Sequence, residues 1–343
     1  MKTVVVTGAA GVLGGGLVKS LARNGMTVRG LDLRPAPEPV ADVRQIEGDV
    51  RNPAVVRAAI AGADAVVHCA AALPSQHAEQ IRSVIVDGTA NVLACSREEK
   101  IPRVVHISST AVYGLPSLVP TPEDYPQVPV DPYSTAKVMA EEACVSSRAQ
   151  GMCVSVLRPK TFLGPGRMGL FSMLFEWAVE GRNFPVLGRG DVRIQMCALE
   201  DLIDAVRAVL AAPEEIANDV YNVAAAEFAT LREDFQAVLD AAGHGKQVVS
   251  VPIGPALPIL RGLQWARLSP VYGRLLSKLR ADSYVSIEKA RERLGFTPRF
   301  SNREAILRTF DWWRTQRGSV VRRGTTSREP WRQGALSLAK VLF

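Results

Sequence analysis

Apolar residues along the chain follow two alternating patterns. Short runs of four to six mostly β-branched residues give way to stretches where apolar positions recur every three or four residues. The first pattern predicts buried strands and the second amphipathic helices. Up to residue 160, strands are expected at 3–7, 27–31, 44–47, 65–69, 103–107 and 153–157, with helices at 12–24, 53–61, 78–99 and 132–150. Such alternation implies an α/β fold built on a doubly wound parallel sheet. Beyond 160 the regularity fades, and prolines and glycines cluster at 159–169 and 181–190. Helices are expected there at 170–180, 199–211, 231–242, 286–294 and 302–316. The expected division is a sheet domain of residues 1–160 plus 191–212 and a smaller C-terminal substrate lobe of 160–190 plus 213–316. Residues 317–343 form a basic tail.

The first sixteen residues read MKTVVVTGAAGVLGGG. A strand over 3–7 runs into Gly8, Gly11 and Gly14, and a helical pattern opening with Val12 and Leu13 follows. Gly8 permits a tight turn, Gly11 lets backbone N–H groups approach a diphosphate, and Gly14 lets helix and strand pack closely. The context is that of a Rossmann dinucleotide site. Asp32 closes the second expected strand, 24 residues after Gly8. A carboxylate there accepts the adenosine ribose hydroxyls of NAD and repels the 2′-phosphate of NADP, although Arg34 could hold that phosphate. NAD is therefore expected over NADP. Asp49 and Val50, after the third strand, are placed to meet adenine. Ala70 and Ala71, after the fourth, are small enough for the backbone to lie against the cofactor.

The chain has 343 residues, 47% of them hydrophobic, enough for one large domain or one with a smaller lobe. No run of eighteen apolar residues predicts a membrane span, and the apolar N-terminal strand reads as fold rather than as a signal peptide. Cys69, Cys95, Cys144, Cys153 and Cys197 are scattered, without metal-ligand spacing, and read as reduced thiols of a cytoplasmic protein. No metal site is expected. The net charge of +7 is uneven: residues 255–280 carry Arg261, Arg267, Arg274, Lys278 and Arg280 without an acid, and the tail is also basic.

Tyr133 and Lys137 open the expected helix at 132–150, and a spacing of four places them on one face. A nearby ammonium favours the phenolate, so Tyr133 can exchange a proton with an alcohol near neutral pH. Lys137 can also reach nicotinamide ribose hydroxyls. Ser108, Ser109 and Thr110 follow the fifth strand, where ligands of a doubly wound sheet bind, and a hydroxyl there can hydrogen-bond the same substrate oxygen.

The series TGAAGVLG, Asp32, GDV, HCAA, SSTAVYG, YSTAK and LRPKTFLGPG resembles the extended short-chain dehydrogenase/reductases over about residues 1–315. That group includes NAD-dependent nucleotide-sugar epimerases and dehydratases and 3β-hydroxysteroid dehydrogenases. The resemblance implies catalytic roles for Ser109, Tyr133 and Lys137. It implies NAD contacts at Gly8, Gly11, Gly14, Asp32, Asp49, Val50 and Ala70, with the backbone near Pro159 beside the nicotinamide. Three features depart from the family pattern. Ser109-Thr110-Ala111 stands where the 4,6-dehydratases carry Thr-Asp-Glu, Ile85 replaces an asparagine, and Arg158-Pro159-Lys160-Thr161 replaces the epimerases' R-x-x-N.

The expected activity is oxidation of a secondary alcohol by hydride transfer to nicotinamide, on a nucleotide sugar in the first reading. The alternatives are a 3β-hydroxysteroid-type dehydrogenase of lipid or terpenoid substrates, and a non-catalytic NAD sensor. Thr110, Lys160, Thr161 and Arg193 are the candidate substrate contacts, and Arg167 and Arg189 could help hold a diphosphate. Basic residues interleave with apolar ones at 255–280, where 271–279 reads as an amphipathic helix, and again in the tail. Both segments carry an expectation of peripheral contact with an anionic membrane. No nucleic-acid groove or motif is evident. A homodimer through helices 78–99 and 132–150 is expected by analogy.

Overall fold

The structure is a computed structural model that describes residues 2–167, 171–254 and 281–316. The basic segment 255–280, with its expected helix at 271–279, and the tail 317–343 lie outside the described residues.

The strands are β1 (Thr3–Thr7), β2 (Thr27–Asp32), β3 (Arg44–Glu47), β4 (Ala65–His68), β5 (Val104–Ile107), β6 (Val154–Pro159), β7 (Phe162–Leu163), β8 (Phe184–Leu187), β9 (Cys197–Ala198), β10 (Val220–Val223) and β11 (Val248–Val251). Among the described residues, seven of them form one sheet in the order β10-β6-β5-β4-β1-β2-β3. All neighbours in that sheet run parallel. Every residue of β4, β5 and β6 is buried, as central parallel strands covered on both faces require.

The strand period of two distributes the core. Val4, Val6, Val67 and Val105 face one side, packed with α1 (Val12–Arg23) and α7 (Leu199–Ala211) through Leu17, Leu21, Leu202 and Val206. Val5, Val66, Val104 and Val154 face the other side. There they meet α2 (Pro53–Ile60), α4 (Gly88–Glu98) and α5 (Pro132–Ala149) through Ile60, Val92 and Cys144. Because the strands are parallel, their carboxyl ends share one edge, and β1 and β4 flank the point where chain progression reverses.

The expected helix at 78–99 is three pieces: α3 (Ala78–Arg82), a π turn over Ser83–Asp87, and α4. A strand within the segment expected for the lobe, β10, forms an edge of the large sheet beside β6.

A further apolar cluster is formed where Phe175 and Trp177 of α6 (Phe171–Val179), Phe184 of β8 and Leu239 of α9 (Leu231–Ala242) meet Phe310 and Trp313. The last two belong to α11 (Asn302–Gln316). Two further helices, α8 (Glu214–Ala217) and α10 (Glu288–Leu294), flank α7 beside β10. Buried polar side chains tie residues 299–302 to residues 194–201. The carboxylate of Asp201 accepts from the backbone N–H groups of Arg299 and Phe300 at 2.9 and 3.2 Å. Asn302 accepts from Met196 N and donates to Ile194 O, each at 2.8 Å. No helix among the described residues is long and apolar enough to cross a membrane.

Candidate active site

The turn after β1 is a cradle that side chains would fill. Gly8 has φ +69°, and a Cβ there would lie 2.8 Å from the Ala70 nitrogen. A Cβ on Gly14 would overlap the Gly8 carbonyl. Gly11 is the N-cap of α1 and brings no capping side chain to the positive end of the helix. Asp32, at the end of β2, accepts from Ala10 N at 3.0 Å and from Arg34 N at 3.1 Å. The carboxylate braces the glycine turn from the next strand. Thr7 Oγ1 adds a brace from below, accepting from Ala70 N at 3.3 Å. These residues fit a dinucleotide: an acid at the ribose position, an anion-attracting helix end, and glycines where a Cβ has no room.

The other expected contacts stand along the same edge. Val50 is buried, and its carbonyl accepts from Asn91 Nδ2 at 2.6 Å. The Asp49 carboxylate is gripped by Arg51, with Nη2 at 2.5 Å, and this hydrogen bond holds its pKa below the ordinary carboxylate value. Ala70 is half-buried, while Ala71 and Arg34 are exposed.

The catalytic candidates lie where β5 ends against α5. Asp131 and Ser134 form a capping box, Pro132 occupies the first turn, and Tyr133 is thereby fixed at the start of α5. Tyr133 is half-buried and packs against the apolar cluster of Ala72, Ile81, Ile85, Ala136 and Ala140. Lys137, one turn on, is 3% exposed and donates to the carbonyl of Ile107 at 2.7 Å. Burial pulls its pKa down to about 8, against the opposing pull of Glu141. Ser109, two residues past Ile107, caps the short 3₁₀ turn Thr110–Tyr113 by accepting from Ala111 N at 3.1 Å. That bond orients its oxygen and leaves the hydroxyl hydrogen to donate elsewhere.

Ser108 faces inward. Its hydroxyl donates to Glu141 Oε1 at 2.5 Å. Glu141 and Arg158 form a buried ion pair, 2.6 Å between Nη2 and Oε2. Arg158 also donates to Tyr113 Oη at 2.8 Å, and that hydroxyl donates to Asn222 Oδ1 at 2.8 Å. Burial works against the Arg158 charge, but the bonds to Glu141 outweigh it and raise its pKa. On the same side of the sheet, His68 and His106 stand in register on β4 and β5 with ring centroids 5.6 Å apart. His68 bonds Thr7 Oγ1 at 2.7 Å and Thr89 Oγ1 at 3.1 Å, whereas neither ring nitrogen of His106 has a hydrogen-bond partner. Burial, then the Lys137 charge, pushes His68 down to about 3 and His106 well below its ordinary value.

On the substrate side, Thr110, Tyr113, Thr121 and Lys160 line a small cavity closed by Ser283 and Tyr284. Thr110 Oγ1 donates to the Pro159 carbonyl at 3.4 Å, and buried Lys160 donates to Ser283 Oγ at 2.8 Å. Thr161 is exposed. Arg193 is engaged by Asp282 at 2.9 Å and lies over the Tyr284 ring. Arg167 donates to Phe162 O at 2.9 Å and stacks on the same residue's ring. All five cysteines are free thiols, and among the described residues no cluster of His, Cys, Asp or Glu has the makings of a metal site.

The model of the NAD dependent epimerase/dehydratase family matches residues 4–224, from β1 through the Tyr133/Lys137 pair to β10. The chain belongs to that family. It is an NAD-dependent enzyme of the extended short-chain dehydrogenase/reductase type. The uncharacterised protein y4nG of Sinorhizobium fredii is 33% identical, over 98% of this chain and 85% of its own. A 3β-hydroxysteroid dehydrogenase/Δ5→4-isomerase of Mycobacterium tuberculosis is 28% identical over 90% of each chain. The UDP-glucose 4-epimerase of Thermotoga maritima, solved with UDP-glucose, superposes with a TM-score of 0.77 at 21% identity, over 92% of this chain and 99% of that one.

Within this family member, sequence reasoning missed Glu141 as a site residue and read Arg158 only as part of a motif departure. A signal for Glu141 was present: it follows Tyr133 and Lys137 at helical spacing and falls on their face. Its partner Arg158 lies on a different element, and no local pattern announces that pairing.

Proposed function

We propose that the enzyme oxidises a secondary alcohol to a ketone, or runs the reverse reduction, with Tyr133 as acid/base. The observation that carries this reading is Lys137: a buried ammonium one helical turn from Tyr133, pinned to Ile107 at the carboxyl end of β5. An ammonium there favours the phenolate of Tyr133, which takes the proton of the substrate hydroxyl. Ser109 donates to the same substrate oxygen and holds it while charge develops. Lys137 and Asp32 would hold the ribose hydroxyls of the cofactor, and the α1 N-terminus its diphosphate. NAD, when bound, supplies the hydride acceptor.

The substrate in this reading is an alcohol on a largely apolar skeleton. Leu115, Leu118, Val128 and Val130 are 46–55% exposed, and they cluster in the loop that leaves the Ser109 segment and borders the substrate cavity. The Mycobacterium hydroxysteroid dehydrogenase aligns over nearly its full length. A nucleotide-sugar epimerase is the second reading, favoured by buried Lys160 in the cavity wall. A homodimer through residues 78–99 and 132–150 accompanies either reading, with Val145 presenting an exposed apolar side chain on α5.

Purified enzyme supplied with NAD and a 3β-hydroxysteroid should accumulate NADH with equimolar ketone. Conversion of a UDP-sugar to its epimer with no net NADH would favour the second reading. No turnover of any secondary alcohol, sugar or sterol would count against both.

A further inference from the structure

We propose that Lys160 and Ser283 form a subsite for a carboxylate, which makes the substrate alcohol a hydroxy acid. The proposal rests on the alcohol-oxidation reading above and narrows its substrate class.

The cavity is walled by the chain neighbours of two site residues: Thr110 follows Ser109, and Lys160 follows Pro159. Consecutive Cα atoms are about 3.8 Å apart, so an acid group held in the cavity lies a few bonds from a carbinol held at Ser109. Among the described residues that line the cavity, Lys160 is the charged one, and it is 6% exposed. Its backbone N–H donates to Val223 O at 3.0 Å, which fixes the residue to the end of β10. A buried ammonium attracts an anionic acceptor more strongly than one in water does.

Ser283 supplies a second donor. Its Oγ accepts from Lys160 Nζ at 2.8 Å, which leaves the hydroxyl hydrogen to donate. The other hydroxyls of the wall are committed: Tyr113 donates to Asn222 Oδ1, Thr110 to Pro159 O and Thr121 to Leu118 O. Backbone bonds hold Ser283 in place. Its N–H donates to Arg193 O at 2.8 Å, and its carbonyl accepts from Gln195 N at 3.1 Å. From the other side, Thr121 N donates to Tyr284 O at 3.1 Å, and Ser286 N donates to Thr121 O at 2.9 Å. Two donors, one of them charged, therefore share one small space on a fixed frame. That space has room for about one water molecule. It admits the flat end of a carboxylate, whereas a diphosphate is too large for it.

The test is calorimetric binding of 3-hydroxydecanoate, its methyl ester and UDP to the enzyme loaded with NADH, so that no oxidation occurs. The acid should bind at least about tenfold tighter than the ester, the worth of hydrogen bonds to a charged group. Lys160→Met should weaken the acid by at least about tenfold and leave the ester within about threefold. Ser283→Ala should weaken the acid by about threefold or more, and it carries the test if Lys160→Met does not fold. The proposal is overturned if the natural enzyme does not bind the acid or binds acid and ester equally. An undiminished preference in a folded variant, or an equal loss for acid and ester, overturns it too, since a wall that merely lost its shape would weaken both alike. UDP binding that Lys160→Met weakens would also overturn it and give Lys160 to the nucleotide-sugar reading. Because the readout is binding, its outcome is separable from whether Tyr133 oxidises an alcohol.

Discussion

Lys137 donates to the carbonyl of Ile107 at 2.7 Å, and through that bond the helix bearing Tyr133 is fixed to the strand end that presents Ser109. Proton transfer is steeply sensitive to position, so an acid/base pair drawn from two elements needs such a rigid frame. The bond lies in the interior, where water does not compete for it.

The cradle makes a steric prediction. Gly14→Ala places a methyl group on the Gly8 carbonyl, so the turn or the helix must shift. NAD affinity should fall at least about tenfold, with a loss of roughly 1–3 kcal/mol in stability. Calorimetric titration with NAD and urea unfolding would measure both. Unchanged binding would mean that the dinucleotide does not use this turn.

Asp32 makes an electrostatic one. Its carboxylate ties the glycine turn to β2 through Ala10, and in the proposed function it holds the adenosine ribose. Asp32→Ala should weaken NAD by about 10- to 100-fold, the value of hydrogen bonds to a charged group. NADP should be spared that loss, because repulsion of its 2′-phosphate disappears. Equal losses for the two cofactors would remove Asp32 from cofactor choice.

The histidine pair sets acid stability. His68 has a folded pKa of about 3 against an ordinary 6.5, and His106 is also strongly depressed. Below pH 6.5 the unfolded chain binds protons that the folded chain refuses, so stability falls as pH drops from there toward 3. Each histidine should contribute a slope approaching 1.4 kcal/mol per pH unit, on the order of the linkage limit. His106→Leu should flatten the slope at no loss of stability at pH 7, because both of its buried ring nitrogens lack partners. Urea midpoints at pH 7 and pH 5 would show it, and an unaltered slope would contradict the burial argument.

The sheet and the cofactor turn were legible in the sequence because their signals are local. Thr3–Thr7 is β-branched throughout its core, three glycines follow at fixed spacing, and Asp32 ends the next apolar run. Tyr133 and Lys137 were legible because a helical face is a local property. Strand β10 reads Val-Tyr-Asn-Val, and its place beside β6 is decided by a crossover of some sixty residues. The break over Ser83–Asp87 leaves the helical apolar pattern intact, so the sequence showed one helix where the backbone has three pieces. Ser108 was expected at the cofactor, yet the adjacent carboxylate of Glu141, supplied by α5, turns its hydroxyl inward.

The account stands on the phenol of Tyr133, and Tyr133→Phe tests it with the loss of one oxygen. Single-turnover oxidation of an alcohol substrate, followed by NADH formation alongside NAD titration of the same sample, separates chemistry from binding. The variant should lose roughly a hundredfold to ten-thousandfold in rate, the typical worth of a general acid/base, and should bind NAD as the natural protein does. A variant that oxidises the alcohol at the natural rate would contradict the role given to Tyr133.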